Sequence, residues 1–360
     1  MDYRQRVNRL QASLQHSGLD ALLVTHLPNI RYLCGFAGSA AILAVSESRA
    51  ILFTDGRYTQ QAREEVQAAS IRIERGKSAS VSATGWLKGA RALKRIGIEP
   101  EHLTLAEKDT LAAAVPNRAR LVKAPPVVER MRMVKDADEI RLIRNACQLG
   151  VKLFEDLRKT IRSGSTESEV AGQLEFRARK FGAEQMAFST IIVAGARSAL
   201  PHGLASQAKL PRRGFVVCDF GVILTGYCSD MTRTLSMGRP SGNARRTYEA
   251  VMEALQAALA AVRPGSVVGE VDFAARNLLR NNRLSRYFTH STGHGLGLEI
   301  HEAPRVAEGQ REVLQPGMVI TVEPGVYLPG EFGVRIEDTV LVTKTGCEIL
   351  TACSKELIEV

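Results

Sequence analysis

Two apolar stretches decide the fold of this 360-residue chain: FVVCDFGVILTGYCSD at residues 215–230 and VITVEPGVYLPGEFGVRIE at residues 319–337. Each stretch is rich in β-branched and aromatic residues on both sides of a turn signal, which predicts a β-hairpin. Each also carries two carboxylates among its apolar strand residues, Asp219 and Asp230 in the first stretch and Glu323 and Glu337 in the second, whose Glu331 falls next to the turn signal. Because a buried carboxylate is costly unless a cation or hydrogen-bond donors compensate it, the two hairpins indicate a buried charged site.

The first hairpin is predicted to turn at Leu224-Thr225-Gly226. If the chain reverses between residues 224 and 225, Asp219 and Asp230 lie directly across from each other. Cross-strand neighbours have Cβ atoms about 4.5–5.5 Å apart, so these two charges would repel each other. An isolated Asp in a strand can also accept backbone hydrogen bonds or mark a sheet edge, and this hairpin alone leaves those alternatives open.

The second hairpin is predicted to turn at Pro329-Gly330. A reversal about Gly330 sets Glu323 opposite Glu337, although Pro324-Gly325 makes the first strand irregular. Two acidic pairs on separate hairpins are harder to explain by isolated structural roles than one pair is. Four carboxylates on one sheet can hold two divalent cations, which in such sites lie about 3.5–4 Å apart.

A glycine-rich loop, HSTGHGLGLEIHE at residues 290–302, carries three further candidates: His290, His294 and His301. The spacing of the first two matches the zincin helix motif, but the glycines disfavour a helix and the glutamate of that motif is missing. The glycines do not match the dinucleotide-binding pattern either. We expect them to let the backbone pass close to a crowded site.

The rest of the chain predicts two domains, at residues 1–124 and 129–360, on either side of the double proline Pro125-Pro126. Residues 1–124 have the composition of an α/β domain. Strands are predicted at Ala21–Val24, Ala41–Val45, Ile51–Phe53 and Ile71–Ile73, and helices at Tyr58–Ala69 and Thr84–Lys94.

The second domain opens with a long amphipathic helix that is predicted to begin near Asp136 and to stop at Gly164. Thr166–Glu169 is a capping box for a second helix. Helical periodicity returns at Arg245–Ala261 and Val271–Asn281. Helices mixed with antiparallel hairpins predict an α+β domain.

Composition and charge exclude several function classes. The net charge is +10, but Lys and Arg are spread along the chain, which indicates a solvated basic surface and no nucleic-acid partner. No apolar run reaches membrane-spanning length, and the N-terminus does not resemble a signal peptide. The six cysteines lack C-x-x-C spacing, so we expect buried thiols in a reducing cytoplasm.

Five segments, in this order along the chain, resemble those of the aminopeptidase P and prolidase family. They are Pro201–Gly203, Asp219–Thr234, His290–Glu302, Glu323–Gly325 and Val334–Asp338. Phe53–Tyr58 resembles part of the smaller N-terminal domain of that family, so the resemblance covers nearly the whole chain. It implies an α+β fold with a C-terminal pita-bread (creatinase/aminopeptidase-like) domain, preceded by a smaller α/β creatinase/prolidase-like domain.

The resemblance also implies two divalent metal ions, with Mn²⁺ as the expected ion and Co²⁺ or Zn²⁺ as alternatives. The implied ligands are Asp219, Asp230, His294, Glu323 and Glu337. Among these, Asp230 and Glu337 are implied to bridge the two ions.

Further roles follow from the same resemblance. Glu323 is implied to carry the proton of the attacking water, while His202 and His301 steady the substrate carbonyl and its tetrahedral adduct. His290 is implied to line the proline side, and Arg335 to hydrogen-bond the ligand carboxylates. His202 as a plain loop histidine and Arg335 in a simple cross-strand ion pair remain alternatives.

The expected activity is metal-dependent hydrolysis of the Xaa-Pro bond by an Xaa-Pro aminopeptidase, with an Xaa-Pro dipeptidase (prolidase) as the alternative. The intact ligand set speaks against creatinase, which lacks metals, and against a non-enzymatic relative that only binds partners. The long N-terminal domain and the Val334–Asp338 segment speak against methionine aminopeptidase. The expected partners are a proline-containing peptide and a second copy of the chain, as a homodimer.

Overall fold

The computed structural model describes residues 1–74, 76, 78–89 and 92–360. These residues form two compact units, Met1–Arg132 and Met133–Val360. The chain passes from one unit to the other at the end of a helix, which begins directly after the double proline. Within the described ranges, none of the helices combines the length and the apolar character needed to cross a membrane.

The first unit is built on a six-stranded mixed sheet with the strand order β4-β3-β2-β1-β5-β6. Its strands are β1 (Ala21–Val24), β2 (Ala41–Ser46), β3 (Arg49–Asp55), β4 (Ser70–Glu74), β5 (Arg95–Ile98) and β6 (Arg120–Lys123). Its helices are α1 (Tyr3–His16), α2 (Leu27–Cys34), α3 (Thr59–Glu65), α4 (Ala79–Gly89), α5 (Leu105–Ala112) and α6 (Val127–Met133). The four predicted strands are confirmed, whereas the short β5 and β6 were not predicted.

One predicted helix of this unit is shifted. The periodicity predicts a helix over Thr84–Lys94, but α4 begins five residues earlier. Ser78 Oγ accepts a hydrogen bond from the Val81 N–H at 3.3 Å, and such a contact favours a helix start. Residues 90 and 91 of the predicted helix lie outside the described residues.

The second unit combines four helices and several small antiparallel sheets in its described residues. The helices are α7 (Ala137–Thr160), α8 (Glu167–Lys180), α9 (Gly242–Ala261) and α10 (Val268–Asn281). The first strands are β7 (Gln185–Met186), β8 (Ile191–Ala194), β9 (Gly214–Phe220), β10 (Val222–Leu224), β11 (Tyr227–Cys228) and β12 (Met231–Met237). The later strands are β13 (Gly293–Gly295), β14 (Glu302–Val306), β15 (Val319–Val322), β16 (Gly325–Leu328), β17 (Phe332–Arg335), β18 (Asp338–Val342) and β19 (Cys347–Ile349).

Two predicted helix starts of this unit, those of α7 and α8, are confirmed by their caps, whereas α9 and α10 each begin three residues before the predicted start. Asp136 and Glu139 form a reciprocal capping box at the start of α7, and Thr166 and Glu169 form another at α8. Each box satisfies backbone N–H groups that have no partner inside the helix. The local sequence therefore determines where both helices begin.

Two helix pairs cover the two halves of this unit. Helices α7 and α8 share one core with β8, β9 and β12, in which Leu174 and Val216 are buried. Helices α9 and α10 share a second core with β15 and β18, in which Leu279 and Ile320 are buried. Each hairpin is thus attached to its own helical layer.

The first hairpin forms two ladders in one register, β9 with β12 and β10 with β11. Asp219 lies across from Thr232, so the expected direct pairing of Asp219 with Asp230 is wrong. The reason is the turn: Thr225 and Gly226 both have positive φ, at 51° and 81°, as in a two-residue type I′ turn. The chain therefore reverses one residue later than predicted, between 225 and 226.

The second hairpin reverses about Gly330, as predicted, and also splits into two ladders: β15 with β18, and β16 with β17. Glu323 and Glu337 lie in the gap between the ladders. There the Glu323 N–H donates to Thr292 O at 2.8 Å, and the Glu337 N–H donates to Thr232 O at 3.1 Å. These two hydrogen bonds attach the histidine loop and the first hairpin to the second hairpin at the gap.

A buried ion pair joins the two hairpins beside this gap. Arg233 on β12 donates through Nη2 to Asp338 Oδ1 at 2.9 Å and to Thr351 O at 3.0 Å. Both charged side chains are at most 2% exposed. Lys355 Nζ lies 2.9 Å from the other Asp338 oxygen. Since removing one partner leaves a buried charge uncompensated, this pair is costly to break.

We expect Arg233→Met to lower the free energy of unfolding by about 3 kcal/mol, since only Lys355 then compensates Asp338. Arg245→Met is the matched control, because Arg245 pairs with Glu359 at the surface, where both side chains are nearly half exposed. Arg245→Met should lower the free energy of unfolding by at most about 1 kcal/mol. Urea unfolding followed by circular dichroism measures the free energy of unfolding of both variants. Equal losses would contradict the conclusion that the buried Arg233–Asp338 pair is costly to break.

Candidate active site

A cavity of about 850 Å³ in the second unit contains all the site residues that the sequence predicted. These are His202, Asp219, Asp230, His290, His294, His301, Glu323, Arg335 and Glu337. They come from both hairpins, the histidine loop and the loop before β9. The tertiary structure therefore brings together segments that are more than 100 residues apart.

Three carboxylates form the centre of the cavity. Asp219, Asp230 and Glu337 are buried and each offers an oxygen, and these oxygens lie within 4.8 Å of one another. Among the described residues, Asp230 Oδ1 and Glu337 Oε1 have no hydrogen-bond partner. Such buried acceptors are rare in native proteins, so this centre fits a cation.

The electrostatics of the centre lead to the same conclusion. Burial, followed by repulsion from Glu337, raises the pKa of Asp230 well above its ordinary value. Burial, followed by repulsion from Glu323, does the same for the pKa of Glu337. Burial raises the pKa of Glu323 to about 8. Ionised carboxylates this close need positive charge beside them, and divalent cations would supply it.

His294 presents a ring nitrogen to these carboxylates. Its Nδ1 lies 3.0 Å from Gly295 O, which assigns the N–H to Nδ1 and leaves the Nε2 lone pair available. Nε2 lies 3.6 Å from Asp230 Oδ2 and 3.4 Å from Glu323 Oε1. Burial lowers the pKa of His294 to about 4, so the ring is neutral at pH 7. A lone pair facing carboxylates is the arrangement of a metal ligand.

Arg335 supports the carboxylates, and it does so across the two hairpins. Its Nη2 donates to Asp219 Oδ2, and its Nε donates to Thr232 Oγ1 at 3.2 Å. Thr232 Oγ1 in turn donates to Glu337 Oε2 at 2.7 Å. Arg335 thus forms an ion pair with a carboxylate of the first hairpin and also supports Glu337 through Thr232.

Arg335 also begins a hydrogen-bond chain that orients His290. Arg335 Nη1 donates to Tyr327 OH at 2.5 Å, and this hydroxyl lies 2.9 Å from His290 Nε2. His290 Nδ1 lies 2.8 Å from Ser291 O and carries the proton, so Tyr327 is the donor to Nε2. Burial lowers the pKa of His290 to about 3. The His290 ring is therefore neutral, held in one orientation, and part of the cavity lining.

His202 and His301 lie on the exposed side of the cavity. The ring of His301 meets that of His294 edge to face, with centroids 4.4 Å apart. Burial and then the nearby His202 lower the pKa of His301. Both rings thus reach the space that a substrate would occupy.

Several residues of the site were not predicted from the sequence. Thr232 and Thr321 hold Glu337 and Glu323 respectively, with Thr321 Oγ1 donating to Glu323 Oε1 at 3.2 Å. Alternation places residues two apart on one face of a strand. Thr321 is two residues before Glu323, and this signal could have identified it.

Arg305 on β14 is another residue that was not predicted. It pairs across the strands with His294 and lines the cavity, and its side chain is exposed. In the part of the chain that the structure describes, no ion pair to Arg305 is found. A guanidinium is thus available in the cavity that contains the carboxylate centre.

Close packing of the histidine loop explains its glycines, as predicted. A Cβ at Gly293 would overlap the backbone carbonyl of Thr321, and one at Gly295 would overlap that of Ala303. The His294 N–H donates to Thr321 Oγ1 at 3.0 Å across the same contact. Without Gly293, β13 could not approach β15 this closely, and without Gly295 it could not approach β14, so both glycines help to place His294.

Comparison with known proteins identifies the class. Residues 141–344 match metallopeptidase family M24, and residues 6–134 match the creatinase/prolidase N-terminal domain. The chain therefore belongs to metallopeptidase family M24 and is a metal-dependent peptidase. The pita-bread α+β fold with a preceding creatinase-type domain, predicted from the sequence, is confirmed.

Individual relatives narrow the comparison. The chain is 37% identical over 356 residues to an Xaa-Pro dipeptidase of Pyrococcus horikoshii, covering 98% of this chain and 99% of that protein. It matches the structure of an Xaa-Pro dipeptidase from Bacillus anthracis with a TM-score of 0.96, 37% identity and coverage of 100% of both chains. An X-Pro aminopeptidase from Thermotoga maritima matches with a TM-score of 0.88 and 37% identity, over 97% of this chain and 100% of that one. The two dipeptidases favour the alternative activity, that of an Xaa-Pro dipeptidase, over that of an Xaa-Pro aminopeptidase.

We expect Gly293→Ala to displace His294 and to weaken divalent-metal binding by about 10- to 100-fold, as loss of a supporting contact does in other metal sites. Gly346→Ala is the control, since a Cβ there meets open space. Metal content after dialysis and peptidase activity measure the effect. Wild-type metal affinity in the Gly293 variant would show that this contact does not position His294.

Proposed function

We propose that this metallopeptidase is an Xaa-Pro dipeptidase that hydrolyses the bond before a C-terminal proline. The observation that carries the proposal is the juxtaposition of the carboxylate centre with Arg305. The centre provides a place for divalent ions, and Arg305 provides a cation for the free carboxylate that only a dipeptide has next to its proline.

The residues that would hold the metal are Asp219, Asp230, His294, Glu323 and Glu337. Their four carboxylates and one imidazole suit two divalent ions, with Mn²⁺ favoured by the oxygen-rich set. The unpartnered oxygens of Asp230 and Glu337 support a bridging role for these two residues. Bound ions of this kind supply Lewis acidity, which lowers the pKa of water and stabilises negative charge on a carbonyl oxygen.

Glu323 is the residue that we assign to proton transfer. The proline nitrogen carries no N–H before cleavage, so it must receive a proton in order to leave. Glu323 lies at the edge of the centre with 17% of its side chain exposed, whereas Asp230 has 7%. Thr321 holds one Glu323 oxygen, which leaves the other free to accept a proton from water and pass it on.

His202 and His301 are assigned to the substrate carbonyl. Both line the exposed side of the cavity, opposite the buried carboxylates. An N–H at either ring can donate to the carbonyl oxygen, and this hydrogen bond strengthens as negative charge develops on that oxygen. His290 is held by Tyr327 and lines the cavity as a wall for the proline side.

Arg305 separates the two candidate activities. A dipeptide ends directly after its proline, so its carboxylate lies next to the scissile bond and within the same cavity. A longer peptide has an uncharged amide at that place. Guanidinium groups bind carboxylates through paired N–H donors. The position of Arg305 opposite His294 therefore favours dipeptides over the aminopeptidase activity that the sequence alone put first.

We also infer a homodimer in a reducing cytoplasm. Leu200 and Leu204, on either side of His202, are 46% and 63% exposed, and Leu204 lines the cavity. A second copy that covers these side chains would close the cavity further. Four cysteines, Cys34, Cys147, Cys218 and Cys228, are buried, as expected for thiols in a reducing compartment.

A panel of Xaa-Pro dipeptides and Xaa-Pro-Yaa tripeptides tests the proposal directly. We expect hydrolysis of the dipeptides to dominate, to stop after chelation, and to return on addition of Mn²⁺. Arg305→Met should raise KM for dipeptides by about 10- to 100-fold, since a hydrogen bond to a charged group contributes about 1.5–3 kcal/mol. Arg311→Met, at an exposed position that does not line the cavity, is the matched control.

Two outcomes would contradict this assignment. A strong preference for tripeptides, insensitive to Arg305, would favour the aminopeptidase. Activity that survives exhaustive chelation would exclude the metal-dependent reaction altogether.

The roles of two carboxylates can be separated by isosteric variants. Glu323→Gln retains an oxygen donor but cannot carry the proton, so we expect nearly complete loss of kcat even at saturating Mn²⁺. Glu337→Gln should fail mainly through weaker metal binding and should recover part of its activity as Mn²⁺ is raised. Metal content is measured beside the rate. Full rescue of the Glu323 variant by Mn²⁺ would assign proton transfer to another group.

A further inference from the structure

A second cluster of metal-binding side chains lies in the first unit, within Met1–Arg132. It contains His26, His102 and Glu129, and one ligand atom of each lies within 4.8 Å of the others. His26 precedes α2, His102 follows β5, and Glu129 is in the first turn of α6. Residues 103 positions apart in the sequence thus meet in one place.

The distances in this cluster fit a transition-metal site. His102 Nε2 lies 3.5 Å from Glu129 Oε1. Ligand bonds of about 2.0–2.2 Å in a tetrahedral zinc site place neighbouring ligand atoms roughly 3.3–3.5 Å apart. The rings of His26 and His102 are stacked, with centroids 3.5 Å apart and planes inclined by 4°. Because an imidazole coordinates in its own plane, one ring must rotate when an ion binds.

A hydrogen-bond network holds the carboxylate of this cluster in place. Asn29 is buried, and its Nδ2 donates to Glu129 Oε1 and to Glu99 Oε1, both at 2.7 Å. Arg132 Nη1 donates to Asn29 Oδ1 at 2.7 Å and so orients the amide. Partners of this kind fix metal ligands in many proteins.

Glu99 ties the same network to His26. Its Oε2 accepts hydrogen bonds from the N–H groups of Thr25 and His26, at 2.7 and 2.8 Å. Glu99 and Glu129 place two carboxylates around the cluster. These carboxylates therefore add oxygen acceptors beside the two imidazoles.

The cluster is reachable from solvent. The side chains of His102 and Glu129 are each 26% exposed. A cavity of about 30 Å³ adjoins both residues and is also lined by Pro125 and Pro126. This volume is enough for one water molecule, which could complete the coordination of an ion.

We propose that His26, His102 and Glu129 bind one divalent transition-metal ion, of which Zn²⁺ is the best match. Two imidazoles and one carboxylate, with water in the fourth position, are a donor set that Zn²⁺ commonly adopts. The ion would link α2, α6 and the loop after β5, so its role is to stabilise the first unit. It is separate from the metal centre of the second unit and does not depend on the proposed peptidase activity.

Metal counting on the full-length protein tests the proposal. Wild type, the double variant His26→Ala/His102→Ala and the control His16→Ala are stripped with chelator and dialysed against Zn²⁺ at pH 7.5. His16 is an exposed histidine on α1 of the same unit. We expect the double variant to retain one ion fewer per chain than wild type and His16→Ala. Peptidase activity should be the same in all three, because the active-site ligands are intact.

Thermal unfolding gives a second readout. Added Zn²⁺ should raise the Tm of wild type and His16→Ala by more than it raises that of the double variant. Equal zinc content in wild type and double variant would overturn the proposal and leave a plain His102–Glu129 ion pair. If the double variant does not fold, Glu129→Gln, which keeps the size of the side chain, takes its place. Wild-type zinc content in that variant would likewise overturn the proposal.

Discussion

Repulsion among buried carboxylates is the constraint on which the second unit depends. Asp219, Asp230 and Glu337 are all at most 7% exposed, yet their oxygens lie close enough to share an ion. A core of apolar side chains would avoid this cost. The chain instead surrounds the carboxylates with Arg335, two threonines and the neutral His294, and leaves two oxygens to a metal. The stability of this unit and the proposed metal centre therefore depend on the same carboxylates.

The two-half architecture provides the framework for this centre. Each hairpin is attached to its own helix pair, and each splits into two ladders close to its carboxylates. Asp230, Glu323 and Glu337 lie in the gaps between strands, whereas Asp219 lies within β9. A continuous ladder would use up the backbone groups that instead join the segments. The N–H of Glu337 bonds to the first hairpin and that of Glu323 to the histidine loop. The interrupted pairing is thus what assembles the site.

The rim of the cavity adds specificity to this buried centre. His202, His301 and Arg305 are exposed, in contrast to the carboxylates, and they reach the space where a substrate binds. Their positions follow from loops and from the edge strand β14, which can vary without disturbing the core. Among the similar structures of this fold are both an Xaa-Pro dipeptidase and an X-Pro aminopeptidase, and the proposed function assigns that difference in substrate to the rim.

The sequence by itself determined the two hairpins and the starts of α7 and α8, because these depend on local periodicity, caps and turn signals. It also indicated nine of the residues that line the cavity, and the resemblance of five segments to a known family implied their roles. The sequence analysis wrongly placed Asp219 opposite Asp230. The backbone geometry at Thr225 moves the turn by one residue, so Asp219 pairs with Thr232, and composition does not reveal this geometry. Only the tertiary structure decided that Arg335 pairs with Asp219 on the other hairpin and that Arg305 lines the cavity opposite His294 in the ladder. Those contacts join distant segments, and no local pattern encodes such pairing.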